Sequence, residues 1–252
     1  MQREIALHFR DQLRAARALA LRDAEAFQEI VLVIERLGAY LLGRMGDMGK
    51  YRDVIVSLAA HSPMATHVPS KVSDSHSQFI MKYEIVREAR NAALHEGALA
   101  RHLTVNALEL SLVLEEAIMI RCYRVGDFMV RNPICAYLWQ PLSFIRQTML
   151  VNSFSYLPVS ADEGEGRGTW QLISDVRLAK YLRVDGEISK ERLVHKLQQA
   201  VGSADLQLFS AQTCNPEDDI KTVLQVLEGL PALVLSPDNK RLVGILTPFD
   251  LL

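Results

Sequence analysis

The chain has 252 residues, with 28 Lys and Arg against 30 Asp and Glu, a length that favours two domains over one. The balanced charge excludes a broad electropositive nucleic-acid surface but leaves room for a local pocket that meets RNA. Cys122, Cys135 and Cys214 are too far apart for a zinc motif or a disulfide framework, which points to a reducing, cytoplasmic setting.

Residues 3–20 are rich in Ala, Leu and Arg, with apolar positions at helical spacing and no export signal. Asp23 is placed to cap a following helix that carries Phe27, Ile30, Val31, Ile34, Leu37 and Leu41 on one stripe. The apolar run Ile30, Val31, Leu32, Val33, Ile34 is stopped by Glu35 and Arg36, so it suits a buried helix face and not a bilayer span. Gly43, Gly46 and Gly49 around Asp47 mark a connection before a helix expected from about Tyr51 to before Pro63. A polar, breaker-rich segment holding His61, His67 and Pro69 runs on through Ser77, and its histidines form no ligand set.

Phe79 opens a central helix, with Tyr83, Val86 and Leu94 as packing residues, Ile85 and Val86 as an apolar holding surface, and Gly97 as its end. Another helix is expected from about Leu103 to Cys122. Four or five helices thus make an all-helical first domain over residues 1–124, ending where Gly126 interrupts the pattern.

Beyond this point Pro133, Pro141, Pro158 and a glycine-rich acidic stretch over residues 162–168 divide the chain into shorter units. Strands are expected at residues 154–159 and 170–173, followed by a helix at 176–182. The order recurs as a helix at 218–227, a strand at 232–235, a turn, a strand at 242–246 and a helix opened by Pro248. This repeat predicts two α/β modules within residues 125–252, the first over about 125–184 and the second over about 185–252.

Late in the central helix, Arg90, Asn91 and His95 form an R-N-x-x-x-H pattern that combines an anion clamp with a proton-exchanging group. Residues five apart on a helix lie about 140° apart, so one helix does not enclose a site, and a second copy brought by a two-fold partner would. The same residues also suit an ordinary helix end, with histidine and arginine solvating its carbonyls. Arg87 is expected to form a salt bridge.

On Arg90, Asn91 and His95, placed before Gly97 and another long helix, the first domain resembles the HEPN superfamily. Its helical domains commonly dimerise and often carry an R-x-x-x-x-H ribonuclease motif with a polar residue after the arginine. The second half resembles a pair of CBS modules, α/β units that often bind adenine nucleotides, on the stretch Gly244-Ile245-Leu246-Thr247-Pro248-Phe249-Asp250. That resemblance implies a phosphate or ribose contact from Thr247 and a ribose hydroxyl contact from Asp250. In the first module Ser174 takes the hydroxyl position, while Arg177 stands in place of the acid and Gln171 in place of the glycine. Arg177 in place of an acid makes that site unequal or vacant; an arginine there can instead meet a phosphate, so an anionic adenylate, AMP or ATP, is the expected regulatory ligand. Thr247 and Asp250 also suit simple helix capping.

The fold class expected is therefore multidomain, an α-helical HEPN-like bundle followed by an α/β tandem CBS pair. The function expected is metal-independent RNA cleavage, with the 2′-OH as nucleophile, His95 moving the proton, Arg90 holding the phosphate and Asn91 orienting it. Adenine nucleotide would regulate it in a homodimer or higher homo-oligomer with RNA as substrate, an antitoxin protein as a further partner and no membrane. The alternative is a non-enzymatic nucleotide-sensing dimerisation or interaction protein.

Overall fold

The computed structural model describes residues 1–73, 76–92, 100–160, 170–227, 229–238 and 241–252, with backbone alone at 91, 92 and 100–102. The chain forms two compact units, Met1–Cys122 and Tyr123–Leu252.

The first unit is helical among its described residues. Helix α1 (Arg3–Arg22) buries Ala6, Phe9, Leu13, Ala16 and Ala20, a set at three- and four-residue spacing that makes one apolar face. That face packs on α2 (Phe27–Leu42) and α6 (Ala100–Met119). Asp23 caps the single 3-10 turn before α2 by accepting from the amide of Glu25 at 3.0 Å. Helix α2 ends at Gly43, whose φ of +73° supplies the left-handed step that closes many helices. Helix α3 (Met48–Ala59) starts three residues before the expected Tyr51, because the Asp47 carboxylate accepts from the Lys50 amide at 3.0 Å and caps the first turn. A side chain on Gly38 would stand 2.5 Å from the Tyr51 ring, so this glycine lets α2 and α3 approach closely.

A short helix, α4 (His67–Lys71), lies within the segment expected to be breaker-rich loop. Helix α5 (Phe79–Ala92) begins at the expected residue and packs through Phe79, Tyr83 and Val86, all buried. Tyr83 donates its hydroxyl to the Met48 carbonyl at 2.7 Å. Ile85 does not join this face and is 39 % exposed, since it lies about 100° around the helix from Val86. Leu94 and Gly97 lie outside the described residues. Arg14 and Arg17 of α1 converge on Glu115 of α6 at 2.5 and 2.6 Å, which neutralises a carboxylate that is 12 % exposed. No helix among the described residues is long and apolar enough to cross a membrane.

The second unit is built from two copies of one chain path. The first copy runs α7 (Val125–Phe128), β1 (Val130–Arg131), β2 (Ala136–Tyr137), α8 (Leu142–Asn152), β3 (Tyr156–Ser160), β4 (Trp170–Ser174) and α9 (Asp175–Leu182). A hairpin of β5 (Arg183–Val184) and β6 (Glu187–Ile188) and a short helix, α10 (Lys190–Val194), follow. The second copy runs α11 (Leu197–Gly202), β7 (Phe209–Ser210), β8 (Gln212–Cys214), α12 (Ile220–Val226), β9 (Ala232–Leu235), β10 (Leu242–Leu246) and a 3-10 turn at Pro248–Leu251.

The two copies exchange their leading strands. One sheet has the order β2-β3-β4-β7 and the other β1-β10-β9-β8, so β7 completes the first sheet and β1 the second. Val130 and Arg131, grouped by sequence with the first module, hydrogen-bond into the sheet of the second. The exchange is reciprocal down to single bonds. The Leu142 amide donates to the His195 carbonyl at 2.9 Å, and in the other copy the Ile220 amide donates to the Tyr123 carbonyl at 2.8 Å. Helix α7 is held by amide bonds from Val125 to Asp218 and Gly126 to Pro216, and α11 by bonds from Leu197 to Gln140 and Gln198 to Leu138.

Leu142, Ile145, Met149, Leu157, Val159 and Ile173 anchor one core, and Val125, Val223, Val234 and Leu246 another. Leu172, Leu233 and Ile245 form a third cluster that joins residues of both sheets. Helix α8 was not among the expected elements. Pro141 looks like a breaker in sequence, yet here it is the N-cap, a place where a missing amide costs nothing.

Candidate functional site

Arg90 sits in the last described turn of α5. Its guanidinium faces Glu35 of α2: Nη2 donates to Oε2 at 3.1 Å, and Nη1 makes an ion contact with Oε1 at 2.8 Å. Burial pushes the Glu35 carboxyl above the usual range, Arg90 opposes this, and Asp47 adds to it. The guanidinium is oriented by this partner, and the side chain is 41 % exposed. One turn earlier, Arg87 pairs with Glu84 at 2.7 Å, the salt bridge expected of it. The Asn91 side chain and all of His95 lie outside the described residues, so the structure brings Arg90 together with Glu35 and describes no contact among the three motif residues.

Thr247 and Asp250 meet at the start of the terminal turn. The Thr247 amide and hydroxyl both donate to Asp250 Oδ2 at 2.8 Å, and the Asp250 amide returns a bond to the Thr247 carbonyl at 3.1 Å. Asp250, the third residue of the turn, therefore bonds back to Thr247, the N-cap residue that precedes the first. Gly244, two residues before the end of β10, is a point of close approach: an added Cβ would lie 2.5 Å from the Met129 sulfur and 3.1 Å from the Val130 carbonyl oxygen.

Ser174 and Arg177 occupy the matching start of α9 with a different arrangement. Here the Ser174 hydroxyl accepts from the Arg177 amide at 3.2 Å, so the N-cap side chain does the capping. The Arg177 guanidinium turns away, lies 3.3 Å from the centroid of the Phe209 ring, and donates through Nη1 to the Gln207 carbonyl at 3.0 Å. The sequence signalled the change from acid to base at this position, but not the ring that receives it.

One polar groove escaped sequence reasoning. It has a volume of about 680 Å³ and lies among Tyr181, Glu187, Glu191, Arg192, His195 and Asp205. The Tyr181 hydroxyl and His195 Nδ1 share a hydrogen bond of 2.9 Å, and Arg192 lies 4.9 Å over the Tyr181 ring while donating to its carbonyl at 2.7 Å. Burial raises the Tyr181 phenol, Arg192 opposes the shift, and Asp205 and Glu191 add to it. The groove shares no residue with the sites above, and no residue spacing in the sequence points to it. Among the described residues no group of three or more His, Cys, Asp and Glu is placed to hold a metal ion.

Residues 209–252 match the CBS domain family, a segment that runs from β7 to the terminal turn. No curated protein matches the chain. Among solved structures, a CBS domain-containing protein of unknown function from Bacillus anthracis is 18% identical, with a TM-score of 0.43 over 52% of this chain and 90% of that one. A hemolysin-like CBS protein of Oenococcus oeni is 14% identical, with a TM-score of 0.40 over 51% and 86%. CBSX2, solved with AMP, is 22% identical, with a TM-score of 0.38 over 51% and 93%. The C-terminal part of this chain is thus CBS-like α/β, with a CBS domain at residues 209–252.

Proposed function

We propose that the second unit is an adenine-nucleotide sensor whose ligand state controls the helical unit. The CBS match at residues 209–252 carries this reading, because the matched segment ends on Thr247 and Asp250, a hydroxyl and a carboxylate locked together at one helix start. Asp250 Oδ2 already takes two protein donors, so a ribose hydroxyl would bind at Oδ1, with Thr247 beside the sugar or its phosphate. A nucleotide shifts the assembly only through unequal affinity for two states of it. Calorimetry with AMP, ADP, ATP and adenosine tests the proposal. The phosphorylated ligands are expected to bind more tightly than adenosine, and Asp250→Ala to weaken them at least tenfold. No heat with any adenylate at millimolar concentration would leave the unit as a structural pair.

The R-N-x-x-x-H pattern of Arg90, Asn91 and His95 supports a second reading, in which the helical unit is the controlled activity. On this reading a HEPN-like bundle pairs with a second copy and cleaves RNA without metal. Arg90 holds the phosphate once Glu35 gives way to it, Asn91 orients it, and His95 moves the proton of the 2′-OH or the leaving oxygen. RNA incubated in EDTA with wild type and His95→Ala decides it: cleavage is expected only with wild type and only of RNA. Equal cleavage by both proteins, or none by either, overturns the reading.

A further inference from the structure

The two helix starts of the second unit are equivalent by register, and the chain already fills one of them. Strand β4 pairs Leu172 with Phe209 of β7, and β10 pairs Ile245 with Val130 of β1. Two residues beyond Leu172 and two beyond Ile245 come Ser174 and Thr247; three further on come Arg177 and Asp250. Phe209 and Val130 therefore occupy matching places beside the two helix starts.

At the second start the residue beside β10 is an aliphatic side chain, and the acid turns back onto the backbone of its own helix. At the first, an aromatic ring replaces the aliphatic one and the guanidinium lies over it. At 3.3 Å from the ring centroid the two are in van der Waals contact, so nothing fits between them. The hydrogen bond to the Gln207 carbonyl fixes the plane of the guanidinium. Phe209 is in turn held edge-on by Tyr156 at 6.4 Å. A ligand that reached this start would have to break the cation-π contact and the carbonyl bond, and would find a cation where the other start offers a carboxylate.

We infer that the unit takes one adenylate per chain, at Thr247 and Asp250, and that Arg177 stacked on Phe209 is a built-in plug of the matching position. This rests on the nucleotide reading of the second start, and stoichiometry separates the two. Calorimetry of the full chain with AMP is expected to give one site per chain in wild type and none in Asp250→Ala. Arg177→Asp with Phe209→Val gives the first start the acid and the aliphatic neighbour of the second, with Ser174 as its hydroxyl and Gln171 left in place. The aspartate would sit where a helix start favours negative charge and would form with Ser174 the kind of box that Asp250 forms with Thr247, so the fold is expected to tolerate it. This double variant is expected to bind two AMP per chain, and to keep one when Asp250→Ala is added. Two sites in wild type, or one site persisting in the double variant, overturns the plug while leaving the sensor. No AMP binding by wild type or by the double variant overturns both.

Discussion

The two copies within the second unit share a path and differ in their chemistry. Each donates a leading strand to the other's sheet, and each opens its last helical element directly after a strand, at Ser174 or at Thr247. In one, the residue before the helix, Ser174, caps and the third helical residue, Arg177, lies on Phe209; in the other, the third residue, Asp250, caps. Backbone pairing needs only strands of the right length and register, so it survives such changes. The side chain one turn into the helix decides what each start can hold.

The largest expected effects test whether the exchanged strands make the two copies one folding unit. Leu172 and Leu233 are both fully buried in the cluster that joins the sheets, and truncating either to alanine should cost about 2–5 kcal/mol. Urea unfolding of Leu172→Ala and Leu233→Ala should move one shared transition of this unit. A variant that splits it, melting one copy before the other, would break the comparison.

Next comes the strand position where the copies differ most in space. Gly244→Ala should cost about 1–3 kcal/mol because its methyl meets Met129, which is buried, and the Val130 carbonyl. Gln171→Ala at the matching place should change stability by less than about 0.5 kcal/mol. Equal effects at the two would mean that β1 and β7 approach their neighbours alike. Smaller still are the caps: Ser174→Ala and Asp250→Ala should each cost about 0.5–2 kcal/mol, whereas Arg177→Ala leaves its helix start capped. Thermal melts that rank Arg177→Ala with the other two would show the cation-π contact to be structural.

The smallest effect concerns the thiols of Cys135, just before β2, and Cys214, at the end of β8, both pushed up by burial from 9.0 to about 11. Each stays protonated in the fold where the unfolded thiol would ionise. Their contribution to stability is therefore whole below pH 9 and is lost as pH rises from 9 toward 11. Alkylation of the native protein at pH 8 should be slow at both and become fast in urea.

Much of this architecture was legible. Asp23 announces a helix start because a carboxylate before an apolar stripe has an obvious backbone partner, whereas Asp47, set among glycines, read as part of a connection although it caps α3. The strand at residues 232–235 and the one at 242–246 fall where β-branched and leucine runs predicted them. Helix α8 was hidden because Pro141 carries the same letter whether it stops a helix or precedes one. The span from β5 to α11 offers only short pieces whose partners are far along the chain, as with the bonds of Leu197 and Gln198 to Gln140 and Leu138. Of the site residues, the box of Thr247 and Asp250 could be anticipated from spacing alone, since three residues along a helix start bring the two side chains together.

By itself the sequence determined the local periods: where helices run, where two strands return, and which residue types stand one turn into each helix. Those follow from interactions within a few residues of the chain. Tertiary structure alone decided that β1 pairs with β10 and β7 with β4, that Glu35 meets Arg90, and that Phe209 lies under Arg177. Each of these joins residues tens of positions apart, and such contacts are selected by burial and hydrogen-bond satisfaction over the whole unit, not by any local pattern.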